Sequence, residues 1–329
     1  MEVVINANNL WDVRIHVYVI GYPSQGESIL TIFSEDRQIL QTIITDCYTE
    51  DSCNCIADIL NSYNNPKIDW FVWTHPHEDH SKGIPAILET FDKKHNCHIV
   101  IPENLHGVPS EKLCSEARNA LNYLKNNYCQ KGNIGPRRHR NYHTVHFDPD
   151  FAAPLKFGFL ISDSVTTATM PVALSILGPD NVASLQNSDR TLQLKPNSFS
   201  IVYTLDANGL IMFMAADVNH QGAKIIPDEI FHNFHLLKIP HHGSKEPESF
   251  YNRIFLNEID DSIGLTTVYP QDGLPQKEAM EIYQKHLGTV YTTHASDKGA
   301  DFGYVHVQYS PMEIRLTEAP EIQGNAGVY

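Results

Sequence analysis

Four side chains of metal-binding type lie within six positions of the chain, between residues 75 and 80. His75 and His77 are two positions apart, so on an extended turn their imidazole rings can reach one ion together. Asp79 and His80 follow after a bend and could face a second ion nearby. Imidazole and carboxylate together suit Zn2+, and also Mn2+ or Fe2+. A histidine-rich surface loop is the alternative, but so dense a cluster directly after an apolar run favours a metal site.

Further candidate ligands follow apolar runs in the second half of the chain. Asp217 ends the run from Leu210 to Ala216, where a carboxylate is unfavourable unless it is paired or bound to metal. A helix cap or a turn is the alternative for Asp217. His241 and His242 precede Gly243, which lets the backbone turn sharply. Because adjacent side chains diverge, we expect His242 to bind the second metal and His241 to donate a hydrogen bond beside it or a proton to the leaving group. The reverse order stays open.

Sequence periodicity predicts the elements that position these residues. Ile68 to Trp73 is a short apolar run typical of a buried strand, and the cluster at His75 follows it directly. Binding groups commonly lie on such loops because the sheet holds their backbone in place. Further strands are predicted over Arg14–Gly21, Ser28–Phe33, Ile39–Thr45, Leu174–Leu177, Ser198–Leu205, Leu210–Met214, Leu236–Ile239 and Val290–Thr293. Helices are predicted over Cys53–Tyr63, Ile84–Phe91, Glu111–Tyr128 and Gln276–His286.

This order of elements predicts an α/β protein in which two sheets pack together with helices outside. We expect a single domain over residues 1–320 with an insertion around 107–150 that covers the site, followed by a polar, flexible tail at 321–329. No run approaches the roughly 20 apolar residues that cross a bilayer, and the start of the chain lacks the pattern of a secretory signal. We therefore expect a cytoplasmic protein with no membrane partner and free thiols at its six cysteines.

The balance of charge bears on the substrate. Lys and Arg total 24 against 39 Asp and Glu, a formal charge of −15, which argues against broad binding of nucleic acid by clustered cations. A small phosphate ester, a nucleotide or a single strand fits this balance better than long duplex DNA. The cluster of Arg137, Arg138 and Arg140 could contact a substrate phosphate, and a solvated basic loop is the alternative.

The segment His75-Pro76-His77-Glu78-Asp79-His80 resembles the H-x-H-x-D-H signature of the metallo-β-lactamase superfamily. Other segments resemble that family in the expected order. Gly26–Leu30 and Ile43–Asp46 resemble its opening, and Met212–Asp217 resembles the strand whose aspartate bridges two metals. Leu237–Ser244 is similar to the LKVPHHGS element of the branch that includes the hydrolase domain of the competence protein ComEC.

The resemblance implies a metallo-β-lactamase-like αββα sandwich, with two mixed β-sheets packed face to face and helices outside. It implies a hydrolase (EC class 3) that uses two divalent ions, Zn2+ first, to activate a water, with Asp79 as a catalytic residue. It also implies that Asp46 supports the histidine loop, and that Asn197 and Ser198 hold a loop near the site. For Asp46, and for Asn197 with Ser198, a simple turn is the alternative.

The ComEC-like branch implies a phosphodiester substrate, as in a nuclease or phosphodiesterase. A hydrolase of another ester, an amide or a lactone is an alternative. A metal-degenerate subunit that acts through contacts with a protein partner is another. The last alternative draws support from Leu177-Gly178-Pro179, where many members of the family have a third histidine for the first metal. The element GHPH of that branch is also altered, to Gly273-Leu274-Pro275-Gln276.

Overall fold

Two mixed β-sheets form the frame of the protein. A computed structural model describes residues 3–50, 53–131, 136–138, 141–147, 155–179, 194–296 and 298–329, and at residues 130, 131 and 136–138 it describes the backbone but not the side chains. In chain order the strands are β1 (Val3–Ala7), β2 (Val13–Gly21), β3 (Glu27–Glu35), β4 (Gln38–Thr45), β5 (Trp70–Val72), β6 (His98–Pro102), β7 (Cys129–Lys131), β8 (Pro136–Arg138), β9 (Tyr142–Val145), β10 (Leu155–Asp163), β11 (Thr169–Ile176), β12 (Tyr203–Ala207), β13 (Leu210–Met214), β14 (Leu236–Lys238), β15 (Ile263–Thr266), β16 (Thr289–Thr292), β17 (Gly303–Ser310), β18 (Arg315–Leu316), β19 (Glu321–Gly324) and β20 (Gly327–Val328). The α-helices are α1 (Cys55–Asn61), α2 (Glu78–Ser81), α3 (Ile84–Phe91), α4 (Ser115–Tyr128), α5 (His220–Lys224), α6 (Glu248–Tyr251) and α7 (Lys277–His286).

Each sheet combines an antiparallel half with a parallel half. Sheet 1 has the spatial order β1-β10-β11-β12-β13-β14-β15-β16-β20, and its strands β13 to β16 run parallel to one another. Sheet 2 has the order β18-β17-β2-β3-β4-β5-β6-β9, with β19 also paired to β17, and its strands β4, β5, β6 and β9 run parallel. Parallel neighbours bring their carboxyl ends to the same edge of a sheet, so each sheet has one edge where several loops meet.

The two sheets pack face to face over an apolar core, and helices cover their outer faces. Side chains alternate along β2: Val13, Ile15 and Val17 point into the core between the sheets, whereas Tyr18 and Ile20 face the helices. Helices α1, α3 and α4 contribute to the apolar cluster outside sheet 2, and α5, α6 and α7 to the cluster outside sheet 1. The predicted αββα arrangement of two mixed sheets with helices outside is therefore confirmed.

The strand predicted over Ser198–Leu205 is wrong in its first half. Residues Pro196–Phe199 form a single 3-10 turn, and β12 begins only at Tyr203. Proline at the start of this turn presets the backbone angle of a helical turn. The backbone N–H of Ile201 then donates to the carbonyl of Thr74 at 3.0 Å, so this stretch joins the histidine loop rather than the sheet.

The segment 107–150, predicted as an insertion over the site, contributes to both the site and the frame. Helix α4 packs outside sheet 2, and β9 pairs with β6 at the edge of that sheet. Residues 132–135, 139–140 and 148–150 of this segment lie outside the described residues. Among the described residues, no helix has the length and apolar character needed to cross a bilayer.

The tail at 321–329, predicted to be flexible, instead contributes a strand to each sheet. Strand β19 pairs with β17, and β20 pairs with β16. Between them the fully buried side chain of Asn325 accepts a hydrogen bond from Lys298 N at 2.9 Å and donates one to Ala300 O at 2.8 Å. The polar composition was misleading because these strands gain their stability from long-range pairing rather than from apolar side chains.

We expect Asn325→Ala to lower the free energy of unfolding by about 1 to 2 kcal/mol, because it removes a buried side chain and leaves two partly buried backbone groups without their hydrogen-bond partner. The matched control is Gln323→Ala on the same tail, whose side chain is exposed and whose loss should change stability by less than about 0.5 kcal/mol. Urea unfolding followed by circular dichroism measures both variants. An equal free energy of unfolding in the two variants would show that the hydrogen bonds of Asn325 do not anchor the tail.

Candidate metal centre

The predicted ligands meet at the carboxyl ends of the parallel strands, where the edges of the two sheets face each other. Sheet 2 supplies the segment His75–His80, which follows β5. Sheet 1 supplies Asp217, which follows β13, and His242, which follows β14. Among the described residues three groups of potential ligand atoms lie within 4.8 Å of one another: Glu27, His80, Asp217 and His242; Asp46, His75 and His80; and His75, His77 and Asp217. The structure therefore brings together the ligands predicted from both halves of the chain.

The second of the two candidate cation positions lies among Asp79, His80, Asp217 and His242. His80 Nε2 is 3.3 Å from Asp79 Oδ2 and 3.6 Å from Asp217 Oδ2. His242 Nε2 is 3.1 Å and 3.5 Å from the same two oxygen atoms. Four donors at 2.0 to 2.2 Å from one ion in a tetrahedron are about 3.4 Å apart, so this spacing suits a small divalent cation.

The first candidate position shares Asp217 with the second. His75 Nε2 is 3.7 Å from Asp217 Oδ2 and 3.2 Å from His77 Nδ1. The group of donors found there contains no third histidine among the described residues. The segment Leu177–Pro179, where the resemblance given above would place a third histidine, is described, and residues 180–193 that follow it lie outside the described residues.

Buried polar atoms without hydrogen-bond partners test whether these residues fit a cation. Asp217 Oδ1 and His80 Nε2 are both buried and have no hydrogen-bond partner among the described residues. Such orphaned groups are strongly unfavourable in a protein interior unless something else satisfies them. Donor chemistry, spacing and burial together therefore fit divalent metal, with nitrogen and oxygen ligands of the kind that zinc accepts.

Asp46 holds the ring of His80 in one orientation. Its Oδ2 accepts from His80 Nδ1 at 2.7 Å, and its Oδ1 accepts from the backbone N–H of Thr74 at 2.7 Å. Asp46 lies directly after β4 with φ of 56°, a left-handed conformation that aspartate tolerates better than most residues. With Nδ1 occupied in this way, His80 presents Nε2 to the carboxylates of Asp79 and Asp217.

A strained turn separates the two adjacent histidines. His241 and His242 have φ of 48° and 51°, and Gly243 continues the turn at 78°. Strain of this kind persists only where the surrounding structure enforces it, and it is common at functional sites. The turn directs His242 into the buried carboxylates, whereas His241 contacts Glu246 at 2.9 Å. His242 thus lies at the second candidate position, and His241 lies beside it.

Charge inside the site follows from burial and close neighbours. Burial, with His80 nearby, lowers the pKa of His75 well below its usual value, so its ring is neutral and can ligate. Burial opposes ionisation of Asp79, but the imidazoles of His80 and His242 outweigh it and hold its pKa well below the usual range. Burial lowers the pKa of His242, but Asp217 more than reverses this and raises it to about 9. The centre therefore attracts positive charge.

A pocket of about 360 Å³ opens onto this centre, and some of the residues that line it were not predicted from the sequence. Its lining includes the ligands Asp79 and His242 together with Lys112, Cys114 and Tyr269. Tyr269 comes shortly after β15, so the rule that sites lie at carboxyl ends of strands could have found it. Lys112 and Cys114 precede α4, and their approach to the site depends on how that helix packs.

The remaining predicted residues lie at different distances from the centre. Asn197 Nδ2 is 3.3 Å from His241 Nε2, so it touches a residue of the site. Ser198 accepts a hydrogen bond from Asn219 at 3.3 Å, and Asn219 is not one of the predicted site residues. Arg137 and Arg138 lie in β8, whose side chains are not described, and Arg140 lies outside the described residues. Their predicted phosphate contacts stay a prediction.

No protein-family model and no curated protein matches the chain. Similar solved structures include Zn2+-bound PqqB from Methylobacterium extorquens, at 10% identity over 84% of this chain and 97% of that chain, with a TM-score of 0.44. The short form of human tRNase Z is 13% identical over 76% of this chain and 91% of its own, with a TM-score of 0.40. A subclass B3 metallo-β-lactamase from a soil metagenome library is 13% identical over 85% of both chains, with a TM-score of 0.34.

We expect Zn2+ to stabilise the metal-free protein, because a cation that binds only the folded state adds about 2.7 kcal/mol per site at one hundred times its Kd. Asp217→Asn should lose most of the response to Zn2+, because it removes the carboxylate that lies at both candidate positions. Asp272→Asn, at an exposed carboxylate of the same pocket, is the control and should respond like wild type. Thermal unfolding with and without Zn2+ measures this, and an equal response of both variants would contradict the site.

Proposed function

We propose that the chain is a metal-dependent hydrolase that holds two divalent cations, Zn2+ first, between the edges of its two sheets. One observation carries the proposal: six buried or half-buried ligand side chains from distant segments converge with spacings of 3.1 to 3.7 Å around two positions that share Asp217. His75, His77 and Asp217 would hold one cation. Asp79, His80, Asp217 and His242 would hold the other.

Bound cations would supply Lewis acidity and a water whose pKa is lowered toward neutrality. The residues of the chain determine the charge at the centre and the route by which a substrate reaches it. Asp217 and Asp79 keep negative charge at the centre, and the pocket beside them admits an ester. Asp79, Asp217 and His242 line this pocket although their side chains are almost completely buried, so solvent and substrate would reach the centre from there.

His241 is the residue proposed to protonate the leaving group. It lines the pocket beside the ligands, and its Nδ1 contacts Glu246 at 2.9 Å. Burial lowers the pKa of His241, but Asp217 and Glu246 outweigh it and raise the pKa above its ordinary value. The raised pKa favours the protonated ring, which would donate a proton as the bond to the leaving group breaks.

The proposed substrate is a small phosphodiester, such as a nucleotide unit or the end of a single strand. The similarity of Leu237–Ser244 to the ComEC-like element supports this, and so does Lys112, whose positive charge lies among the residues that line the pocket. The volume of about 360 Å³ suits one such unit rather than a duplex.

A neutral ester or lactone is the second candidate substrate, because acidic residues also border the pocket. Glu78 and Asp272 lie in the lining together with the two carboxylate ligands. Their charge disfavours an anionic substrate unless bound cations outweigh it. Turnover of bis-p-nitrophenyl phosphate, single-stranded DNA, cyclic nucleotides and a lactone, compared side by side, decides between the two. A chain without bound metal and without turnover on any of them would instead be a degenerate subunit.

We expect Asp79→Ala to reduce turnover by about a thousand-fold or more with folding intact, because it removes a ligand and a buried charge from the reacting centre. Asp272→Ala is the control, since this carboxylate lies in the pocket but outside the ligand groups. Steady-state kinetics and circular dichroism on both variants measure this. Full activity of Asp79→Ala would refute the mechanism.

Lys112 should matter for an anionic substrate only. We expect Lys112→Ala to raise KM for a phosphodiester by roughly five-fold with little change in kcat, because one partly exposed charge pair contributes about 1 kcal/mol to binding. Lys112→Arg keeps the charge and should stay near wild type. A neutral ester serves as the comparison substrate, and an equal change in KM for both substrates would rule out a charge contact.

A further inference from the structure

A buried ion pair lies behind the metal centre and joins the two sheets. Glu27 begins β3 of sheet 2, and Lys238 ends β14 of sheet 1. Lys238 Nζ is 2.6 Å from Glu27 Oε2 and also donates to the carbonyl of Ile239 at 2.9 Å. Both side chains are almost completely buried, at 1% and 0% exposure. The two side chains are therefore paired with each other in the interior, where neither reaches solvent.

Thr267 connects this carboxylate to His242. The hydroxyl of Thr267 donates to Glu27 Oε2 at 2.7 Å, and His242 Nδ1 lies 2.7 Å from the same hydroxyl oxygen. A hydroxyl has one proton to donate, and a carboxylate can only accept. Since the proton of Thr267 goes to Glu27, the oxygen of Thr267 must accept from Nδ1–H of His242. The Nε2 atom of His242 then faces Asp79 and Asp217, 3.1 Å and 3.5 Å away.

We propose that Glu27, Lys238 and Thr267 form a positioning relay, which fixes His242 with its proton on Nδ1 and aims Nε2 at the second cation. The inference rests on the proposed metal-dependent function and adds residues that are not themselves proposed ligands. Lys238 has a specific part, because its ammonium group lies 2.6 Å from Glu27 Oε2 and holds this oxygen against the Thr267 hydroxyl. Without that contact the Thr267 hydroxyl could turn toward Nδ1 of His242, which would place the ring proton on Nε2.

The relay is the counterpart of the contact between Asp46 and His80. Both histidines of the second candidate position present Nε2 to the same carboxylates, and both are oriented through Nδ1. For His80 the orienting carboxylate bonds directly, at 2.7 Å. For His242 a threonine hydroxyl lies between. Outer contacts of this kind commonly change metal affinity by about 10- to 100-fold.

The hydroxyl of Thr267 can be removed with little change of shape. We expect Thr267→Val to weaken binding of the second Zn2+ by about 10- to 100-fold, measured by competition with a chromogenic chelator starting from metal-free protein. Thr267→Ser keeps the hydroxyl and should stay within about three-fold of wild type. Thr42→Val is the matched control, because Thr42 is also fully buried and its hydroxyl has no hydrogen-bond partner among the described residues.

A double variant separates the relay from a simple stabilising role. Replacing a buried ion pair by apolar side chains is often neutral or stabilising, so Glu27→Met with Lys238→Met should keep the melting temperature near wild type. The same variant should still weaken the second Zn2+ by about ten-fold. In zinc-loaded wild type, 15N NMR should show His242 with a slowly exchanging proton on Nδ1, and this protection should be lost in the double variant.

Two failures can be distinguished. Wild-type protein that binds no divalent cation would overturn the proposed function and the relay with it. Wild-type protein that binds two cations, together with unchanged affinity in Thr267→Val, would overturn the relay and leave the proposed function standing. A proton found on Nε2 of His242 in the zinc-loaded protein would also overturn it.

Discussion

The mutual proximity of two buried carboxylates, Asp79 and Asp217, is the constraint on which the rest of the structure depends. Both side chains are almost completely buried, they come from different sheets, and both lie within 3.6 Å of the same ring nitrogens of His80 and His242. Two negative charges in a protein interior repel each other and lose their hydration, so they persist only beside positive charge. Imidazoles supply part of it, and cations would supply the remainder. The sheets are packed so that this charge lies at their shared edge.

The frame meets that constraint through parallel strands and left-handed backbone. The loops after β4, β5, β13, β14 and β15 all leave at the edge where the ligands converge. Asp46, Ala216, His241 and His242 have positive φ, so the loops after β4, β13 and β14 turn abruptly as they leave their strands. Such turns are unfavourable for residues with a β-carbon, and packing of both sheets over the common core holds them in place. Packing of the two sheets therefore offsets the backbone strain in the loops that position the side chains of the site.

Several features could be predicted from the sequence because they are local. The density of ligands between His75 and His80, and their place after a buried run, needed no knowledge of distant contacts. The strand-rich halves with helical segments also indicated the sandwich. Other features failed for a physical reason. The tail strands at 321–329 are polar and depend on pairing with β16 and β17, and the Pro196–Phe199 turn bonds to the histidine loop instead of extending β12. Local periodicity carries no information on such partners.

By itself the sequence determined which residue types are available for chemistry, that they follow apolar strands, and that Gly243 permits a sharp turn beside the paired histidines. Only the tertiary structure decided that His242 rather than His241 reaches the carboxylates, since this depends on backbone angles in a strained turn. It also decided that Thr267 contacts Glu27 across 240 positions of the chain, and that Lys238 is buried against the same carboxylate. Hydrogen-bond direction and charge pairing depend on distances between folded segments, and the linear order of residues does not specify those distances.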